Sequence, residues 1–78
     1  MADVDRTGRD ELHRAALKDD VRKVRERLES GVAADLGDTA GWTPLHFAAQ
    51  DGSLAAAKVL LDAGANPNTR NNDGQTPL

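Results

Sequence analysis

GWTPLHFAAQDG, residues 41–52, is the stretch that decides the fold, because it holds the signals that begin and end a short helix. Thr43 suits the N-cap, and Pro44 suits the first helical position, where its missing N–H is not needed. Asp51-Gly52 is a turn signal, so the predicted helix lasts barely two turns. One face of this helix is apolar at i, i+3 and i+4, where Leu45, Ala48 and Ala49 stand.

The residues that follow predict a second helix and a tight loop. Ser53 suits the second N-cap, and Gly64 and Pro67 mark the point where the chain leaves the helix. Between them runs an apolar stripe of Leu54, Ala57, Leu60 and Leu61. The sequence NNDG at 71–74 suits a hairpin-like turn. The predicted unit is therefore helix, turn, helix and loop.

The unit recurs every 33 residues. Residues 5–37 and 38–70 share eight identities, where chance would give about two. The recurring positions are turn glycines, apolar residues and a histidine: Gly8, Gly41 and Gly74; Leu12, Leu45 and Leu78; His13 and His46; Gly31 and Gly64. This register predicts a tail at 1–4 and repeats at 5–37 and 38–70. Because Thr43-Pro44-Leu45 recurs at 76–78, we also predict the start of a third repeat at 71–78.

Residues 38–68, DTAGWTPLHFAAQDGSLAAAKVLLDAGANPN, resemble an ankyrin repeat, with its T-P-L-H-x-A-A core and its closing L-L-x-x-G-A-x-x-N. The resemblance extends over almost the whole chain, more loosely over 5–37. It implies an all-α solenoid of stacked helix-turn-helix units with hairpin-like loops along one edge. It also implies a non-catalytic module that binds a protein partner through its loop tips and concave helix face.

The first copy departs from this pattern in polar residues. Asp10-Glu11 replaces Thr-Pro, Asp19 replaces the glycine between the helices, and Arg27 stands where the second copy has Leu60. A terminal repeat needs a polar outer face, because one of its sides meets water. Residues 5–37 are therefore interpreted as an N-terminal capping repeat.

The other end is predicted to be open. The sequence stops at Leu78, where the third copy would enter its first helix, and about three repeats are usually needed for stability. We expect an uncovered apolar face formed by Ala48, Leu54, Val59 and Leu60. Two interpretations follow: the chain is a fragment of a longer ankyrin protein, or a partner or second copy covers this face.

Composition excludes several classes of function. The chain of 78 residues has no cysteine, which excludes thiol catalysis and Cys-based metal sites and favours a reducing, cytoplasmic location. A net charge of -3 argues against general affinity for nucleic acid or an anionic membrane. The basic residues between Lys18 and Arg27 alternate with acidic ones, which is typical of a solvated helix face. No cofactor is predicted.

Trp42 is the residue that the repeat does not require. The resemblance implies that its position, between the turn glycine and Thr-Pro, varies and points toward the concave groove. An exposed tryptophan there would anchor a partner, because aromatic residues dominate binding hot spots. The alternative is that Trp42 packs on its equivalents one repeat away, Arg9 and Gln75.

The resemblance implies further groove positions in each copy. They are Arg6, Thr7, Arg9, Leu17 and Lys18 in the first; Thr39, Ala40, Gln50 and Asp51 in the second; and Asn72, Asp73 and Gln75 in the third. The first copy contributes basic residues and the later ones Asp51 and Asp73, a gradient that would orient a partner. The alternative is that these are ordinary solvated charges.

The remaining signature residues are predicted to be structural. His13 and His46 are expected to hydrogen-bond the neighbouring loop, since neither has a third ligand or a nucleophile at a suitable spacing. The other predicted structural residues are Gly41, Thr43, Pro44, Leu45, Gly52 and Gly64. For the whole protein, one hypothesis is an inhibitor or immunity-like binder. The alternative is the N-terminal segment of a larger enzyme or regulator whose activity lies beyond Leu78.

Overall fold

Four helices form two stacked helix-turn-helix pairs in the computed structural model, which describes residues 7–77. Helix α1 spans Glu11–Leu17, α2 spans Val21–Glu29, α3 spans Pro44–Gln50 and α4 spans Leu54–Asp62. Within each pair the two helices pack against each other. The two pairs are joined by packing of α1 against α3 and of α2 against α4. No strand occurs in the described range. The predicted all-α repeat fold is confirmed. The predicted tail at 1–4, Arg6 and Leu78 lie outside the described residues.

Helices α1 and α3 begin with the same reciprocal cap. Thr43 is the N-cap of α3, and its hydroxyl oxygen accepts from the backbone N–H of His46 at 3.4 Å. In the first copy Asp10 takes this place and accepts from the N–H of Leu12 at 2.8 Å. A carboxylate satisfies the free N–H groups of a helix start as well as a hydroxyl does. The Asp10-Glu11 departure therefore preserves the helix start.

Helix α4 is capped from the preceding repeat, which corrects the assignment of Ser53. Ser53 occupies the N-cap position, but its side chain makes no capping bond. Its hydroxyl instead donates to the carbonyl oxygen of Leu17 at 2.9 Å. The N–H of Ala56 is bound by Asp19 Oδ1, also at 2.9 Å. Asp19 has a φ of 58°, which aspartate tolerates better than most residues.

Removing the side-chain acceptor of Asp19 is expected to weaken the start of α4, with a loss of about 1 kcal/mol that is reduced where the new residue relaxes the backbone. Asp19→Asn is the matched control, since the amide oxygen keeps an acceptor and asparagine tolerates a left-handed backbone. Asp19→Gly relaxes the backbone but removes the acceptor. Hydrogen exchange at the Ala56 N–H, which loses its acceptor only in the glycine variant, is expected to be faster in that variant than in the asparagine variant, and equal exchange in the two would disprove the cap.

The core is built from small and medium side chains between the four helices. Leu12, Leu45, Leu60 and Val24 are fully buried, and alanines such as Ala16 fill the spaces between them. Alanine lets neighbouring helices approach closely, so a chain with few large apolar residues still forms a packed interior.

Of the four residues of the predicted open face, the structure exposes only Leu54, and Val59 is half-buried and packs against the core. Ala48 and Leu60 are 0% exposed and belong to the core. Leu54, by contrast, is 80% exposed, and Leu61 is 39% exposed. These two leucines are seven residues apart and therefore share a helical face that is rotated away from the Ala56–Leu60 face. We call this pair the Leu54–Leu61 patch.

The loops between repeats are hairpin-like turns linked to one another. The N–H of Asp38 donates to the carbonyl of Trp42, and that of Asn71 to the carbonyl of Gln75, both at 2.9 Å. The N–H of Asn72 donates to the carbonyl of Ala40, also at 2.9 Å, and so joins adjacent turns. Gly41 allows this approach, because its φ is 79° and a Cβ there would lie 2.8 Å from Asn72 Oδ1.

Candidate functional site

Two histidine rings fix the loops to the helices. His13 Nδ1 accepts from the N–H of Asp10 at 3.0 Å, so Nε2 carries the proton and donates to the carbonyl of Trp42 at 3.1 Å. His46 repeats the arrangement: Nδ1 accepts from the N–H of Thr43 at 3.0 Å, and Nε2 donates to the carbonyl of Gln75 at 2.9 Å. Each ring therefore holds the loop of the next repeat in one position.

Asp38 and Asn71 shape the turns from inside, and the sequence analysis missed both. Asp38 Oδ1 accepts from the N–H groups of Ala40 and Trp42 at 2.9 Å each. Asn71 Oδ1 binds the N–H groups at 73 and 75 in the same way. Both side chains are buried. A signal was present, because an Asp or Asn stands three residues before each turn glycine at the 33-residue spacing.

Trp42 is half-buried and packs mainly on its own repeat. Its ring centroid lies 5.1 Å from that of Phe47 and 5.4 Å from that of His46, both tilted. The packing alternative in the sequence analysis named Arg9 and Gln75 as the neighbours. The contacts within the repeat arise because the backbone at 42 is fixed by Asp38, which directs the indole over α3.

Phe47 is the aromatic centre of this surface, and the sequence analysis did not single it out. It is 8% exposed. The ring of His13 meets it edge-on at 5.8 Å, and the guanidinium carbon of Arg9 lies 4.8 Å from its centroid. Arg9 Nε also donates to Asp38 Oδ2 at 3.2 Å. Arg9, predicted to face a partner, is therefore engaged in two contacts within the chain.

A cleft of about 200 Å³ opens beside Trp42, and we call it the Trp42 cleft. Its floor is α3 and its far wall is the start of the third repeat. The lining residues are Trp42, His46, Ala49, Gln50, Gln75, Thr76 and Pro77. Of the predicted groove residues, the cleft brings together Trp42, Gln50 and Gln75.

The other predicted groove residues lie along the two edges of this surface. Thr39, Ala40, Asn72 and Asp73 are exposed at the loop tips, where Asn72 Nδ2 donates to the carbonyl of Thr39 at 3.1 Å. Lys18 and Asp51 are exposed at the C-caps of α1 and α3. Thr7 and Leu17 are half-buried. We call the surface of α1, α3 and the loop tips, with the Trp42 cleft in it, the groove face.

Two of the departures in the first repeat, Asp10 and Arg27, form an ion pair. Arg27 Nε donates to Asp10 Oδ2 at 3.1 Å, and Nη2 donates to Oδ1 at 3.0 Å. Burial alone would raise the pKa of Asp10, but the hydrogen bonds from Arg27 and from the N–H of Leu12 outweigh it and hold that pKa below its usual value. Arg27 therefore does more than present a polar outer face, because it also fixes the N-cap of α1.

Comparison with known proteins identifies the repeat. A family profile described as ankyrin repeats (three copies) matches residues 4–78. The chain belongs to the ankyrin-repeat family. Ankyrin repeats are protein-interaction modules, and this chain carries such a module.

Its relatives include proteins of very different kinds. The chain is 45% identical over 68 residues to the mouse 2-5A-dependent ribonuclease, an alignment covering 86% of this chain and 9% of that protein. It is 35% identical over 77 residues to the human protein phosphatase 1 regulatory subunit 27, covering 99% of this chain and 50% of that protein. The chain thus spans half or less of these two relatives, so their similarity concerns the ankyrin module.

Neither a cluster of metal-ligating side chains nor a membrane-spanning helix is found in the described part of the chain. Within residues 7–77, no three His, Asp or Glu side chains come close enough together to hold one. No helix in that range has the length and apolar character needed to cross a membrane.

Mild acid is expected to destabilise the ankyrin stack through His13. Burial lowers the pKa of His13 and outweighs the hydrogen bonds and the carboxylates of Asp38 and Asp10, which would raise it. As the pH falls, His13 therefore takes up a proton in the unfolded chain, near the usual histidine pKa of 6.5, before it does so in the folded chain. The stability is fully present above that pH and is lost as the pH falls toward the folded pKa. Asp10, whose pKa is also lowered, adds a loss only below about pH 4.

Thermal melts at about pH 7.5 and about pH 5.5 test this expectation. The melting temperature is expected to fall between them, because a proton on Nδ1 ends its hydrogen bond with the N–H of Asp10. In His13→Gln the fall is expected to shrink, whatever the absolute stability of the variant. A fall of the same size in the variant would assign the effect to other groups.

Proposed function

We propose that this ankyrin module binds a protein partner through the groove face, with Trp42 as its anchor. The observation that carries the proposal is the half-exposed indole, which lines the Trp42 cleft although two rings pack against it. The sequence contains one tryptophan, and aromatic residues of this kind contribute most to binding hot spots.

The charges along the edges support an oriented partner. Lys18 is exposed at the C-cap of α1 in the first repeat, and Asp51 and Asp73 are exposed in the second and third. Arg9 contributes less positive charge to the groove face, because its guanidinium pairs with the carboxylate of Asp38 at 3.2 Å. The proposed partner therefore presents negative charge toward Lys18 and positive charge toward the later repeats.

A pull-down from the source cell tests the proposal. The wild type is compared with Trp42→Ala and with Leu54→Ala, whose leucine is 80% exposed and outside the groove face. We expect a protein that the wild type and the Leu54 variant retain and that the Trp42 variant loses. A protein retained equally by all three, or lost only with the Leu54 variant, would count against the groove face.

The biological role of the binding stays a hypothesis with two forms. One is an inhibitor or immunity-like protein of the cytoplasm, a location favoured by the absence of cysteine. The other is an ankyrin segment of a larger enzyme or regulator, which is supported by the small share of the ribonuclease relative that the chain spans. The length of the complete gene distinguishes the two forms.

Self-association is a second candidate, because the Leu54–Leu61 patch is exposed. A second copy would bury these leucines and remove apolar area from water. Sedimentation at several concentrations tests it: a mass that rises with concentration and returns to the monomer value in Leu54→Asp would support the patch. A monomer at every concentration would reject it.

A further inference from the structure

A small pocket of about 50 Å³ lies on the groove face between the first two repeats. Its lining residues are Arg9, His13, Arg14, Leu17 and Phe47, and we call it the Phe47 pocket. One wall comes from the first repeat and the other from α3, which packs against α1. Both walls of the pocket are therefore part of the described structure.

The floor of the Phe47 pocket is apolar and held in place. The ring of His13 meets that of Phe47 edge-on at 5.8 Å. The backbone of Leu17 is fixed, because its carbonyl oxygen accepts from the Ser53 hydroxyl at 2.9 Å. The volume is about a third of that of a cavity that binds benzene, which is about 150 Å³. The pocket is therefore too small for an aromatic ring but suits a short chain of methylene groups.

Arg9 presents an oriented guanidinium at the edge of this floor. Its Nε donates to Asp38 Oδ2 at 3.2 Å, and its guanidinium carbon lies 4.8 Å from the Phe47 centroid. The side chain of Asp38 is 1% exposed, whereas 41% of the Arg9 side chain is exposed. A guanidinium carries five N–H donors, and Asp38 uses the one on Nε. The carboxylate and the ring thus orient the other donors in advance, which reduces the entropic cost of binding a carboxylate.

Arg14 and Lys18 add positive charge on the same side of the pocket. They are four residues apart along α1 and its C-cap, so their side chains are neighbours. Arg14 Nη1 lies 4.0 Å from Glu11 Oε1, and both side chains are largely exposed, so this ion pair contributes little. Lys18 is exposed. This side of the pocket therefore favours an anionic group over a neutral group of the same shape.

From these contacts we infer that the Phe47 pocket accepts a glutamate side chain of the protein partner. The inference rests on the proposed binding role and adds the chemistry of one residue that the partner inserts. The methylene groups of the glutamate lie on Phe47 and Leu17, and its carboxylate accepts from the guanidinium groups of Arg9 and Arg14. A glutamine would keep the apolar contact but lose the charge-assisted hydrogen bonds.

A titration with small probes tests the pocket without any knowledge of the partner. The α-amides of N-acetyl-glutamate and N-acetyl-glutamine differ in the charge of the side chain, and each is added to the isotope-labelled chain at low salt. NMR shifts are followed at the Arg9 Nε–H and at the Leu17 N–H. The glutamate probe is expected to bind about fivefold more tightly, an advantage that salt reduces. Equal binding of the two probes, or tighter binding of inorganic phosphate than of the glutamate probe, would overturn the inference.

Two variants that remove the same charge provide the control. Arg14 lines the pocket, whereas Arg25 is exposed on α2, outside the groove face. Arg14→Gln is expected to weaken binding of the glutamate probe about threefold and to leave the glutamine probe unchanged, and Arg25→Gln is expected to bind like the wild type. Equal weakening in both variants would mean that the net charge of the chain attracts the probe, and would contradict the pocket.

Arg9→Lys tests the oriented guanidinium. Lysine keeps the positive charge but lacks the planar fork that binds a carboxylate through two parallel hydrogen bonds. This variant is expected to weaken binding of the glutamate probe about threefold while the glutamine probe is unaffected. Unchanged binding of the glutamate probe would contradict the role of Arg9.

Selection from a displayed random peptide library separates this inference from the proposed function. We expect enriched peptides to contain a glutamate and to lose affinity for Arg14→Gln but not for Arg25→Gln. Peptides that are weakened by Trp42→Ala but not by Arg14→Gln would leave the groove face as the binding surface and reject the glutamate pocket. A glutamate probe that binds the Phe47 pocket in a chain that selects no peptide would support the pocket and count against the proposed function.

Discussion

Replacing Leu45 with alanine is expected to lower the free energy of unfolding by about 2–5 kcal/mol and to leave much of the chain unfolded. Leu45 is 0% exposed and lies in α3, which packs against both α1 and α4. The loss combines the buried methyl groups with a cavity that the surrounding helices cannot close. Residues 7–77 hold two helix-turn-helix pairs, which leaves few other interfaces to compensate, because each repeat is stabilised by its neighbours. Urea unfolding followed by circular dichroism measures the change.

Leu54→Ala is the matched control for this prediction. The chemical change is the same, but Leu54 is 80% exposed, so its truncation is expected to change stability by less than about 0.5 kcal/mol. Equal effects of the two substitutions would contradict the packing described here. A larger effect for Leu54 would mean that the Leu54–Leu61 patch is covered in solution.

Replacing Trp42 with alanine is expected to weaken partner binding by about 2 kcal/mol or more, which is roughly 30-fold in the dissociation constant. The structure adds a cost in stability, because the indole packs on Phe47 and His46 at 5.1 and 5.4 Å. That cost is expected to be about 1 kcal/mol, the usual value of aromatic contacts. Calorimetry with the retained partner and thermal melts of the same samples give both quantities.

The two measurements on Trp42→Ala distinguish an anchor from a packing residue. If Trp42 is an anchor, the substitution reduces the binding free energy much more than it reduces the free energy of unfolding. A variant that unfolds by a few kcal/mol yet binds normally when folded would make Trp42 a part of the scaffold. Trp42→Phe supplies the intermediate case, because it retains a ring beside Phe47 but removes the indole N–H and part of the cleft wall.

The sequence predicted those features that depend on neighbouring residues. The Thr43 cap and the bonds of His46 follow from spacings of three residues, and the loop turns follow from their glycines. The 33-residue period then placed each feature twice, which is why a short chain with few aromatic residues still revealed its fold. Local chemistry and the period were sufficient for the family.

Contacts between residues that are far apart in the sequence could not be predicted from the 33-residue period. The cap of α4 comes from Asp19, 37 residues before Ala56, and the Asp10–Arg27 pair exists only where the first copy breaks the pattern. The exposed patch was misassigned because helical periodicity alone does not fix how far α4 rotates about its axis. Leu54 therefore faces solvent, while Leu60 faces the core.

The candidate groove face was only partly predictable. Trp42 was identified because it breaks the repeat, but the cleft beside it depends on Pro77 and Thr76, which looked like plain scaffold. Asp38 was overlooked as well, although its carboxylate sets the backbone at 42. Its role appears only when the turn is closed in three dimensions.

Mapping the retained partner onto the labelled chain by NMR tests the central claim most directly. If the groove face is the binding surface, the largest shifts occur at the Trp42 indole N–H, Gln50 and the loop residues 72–75. Leu54 and Leu61, on the exposed face of α4, then remain unchanged. Shifts confined to Leu54 and Leu61, with Trp42 unaffected, would contradict the claim.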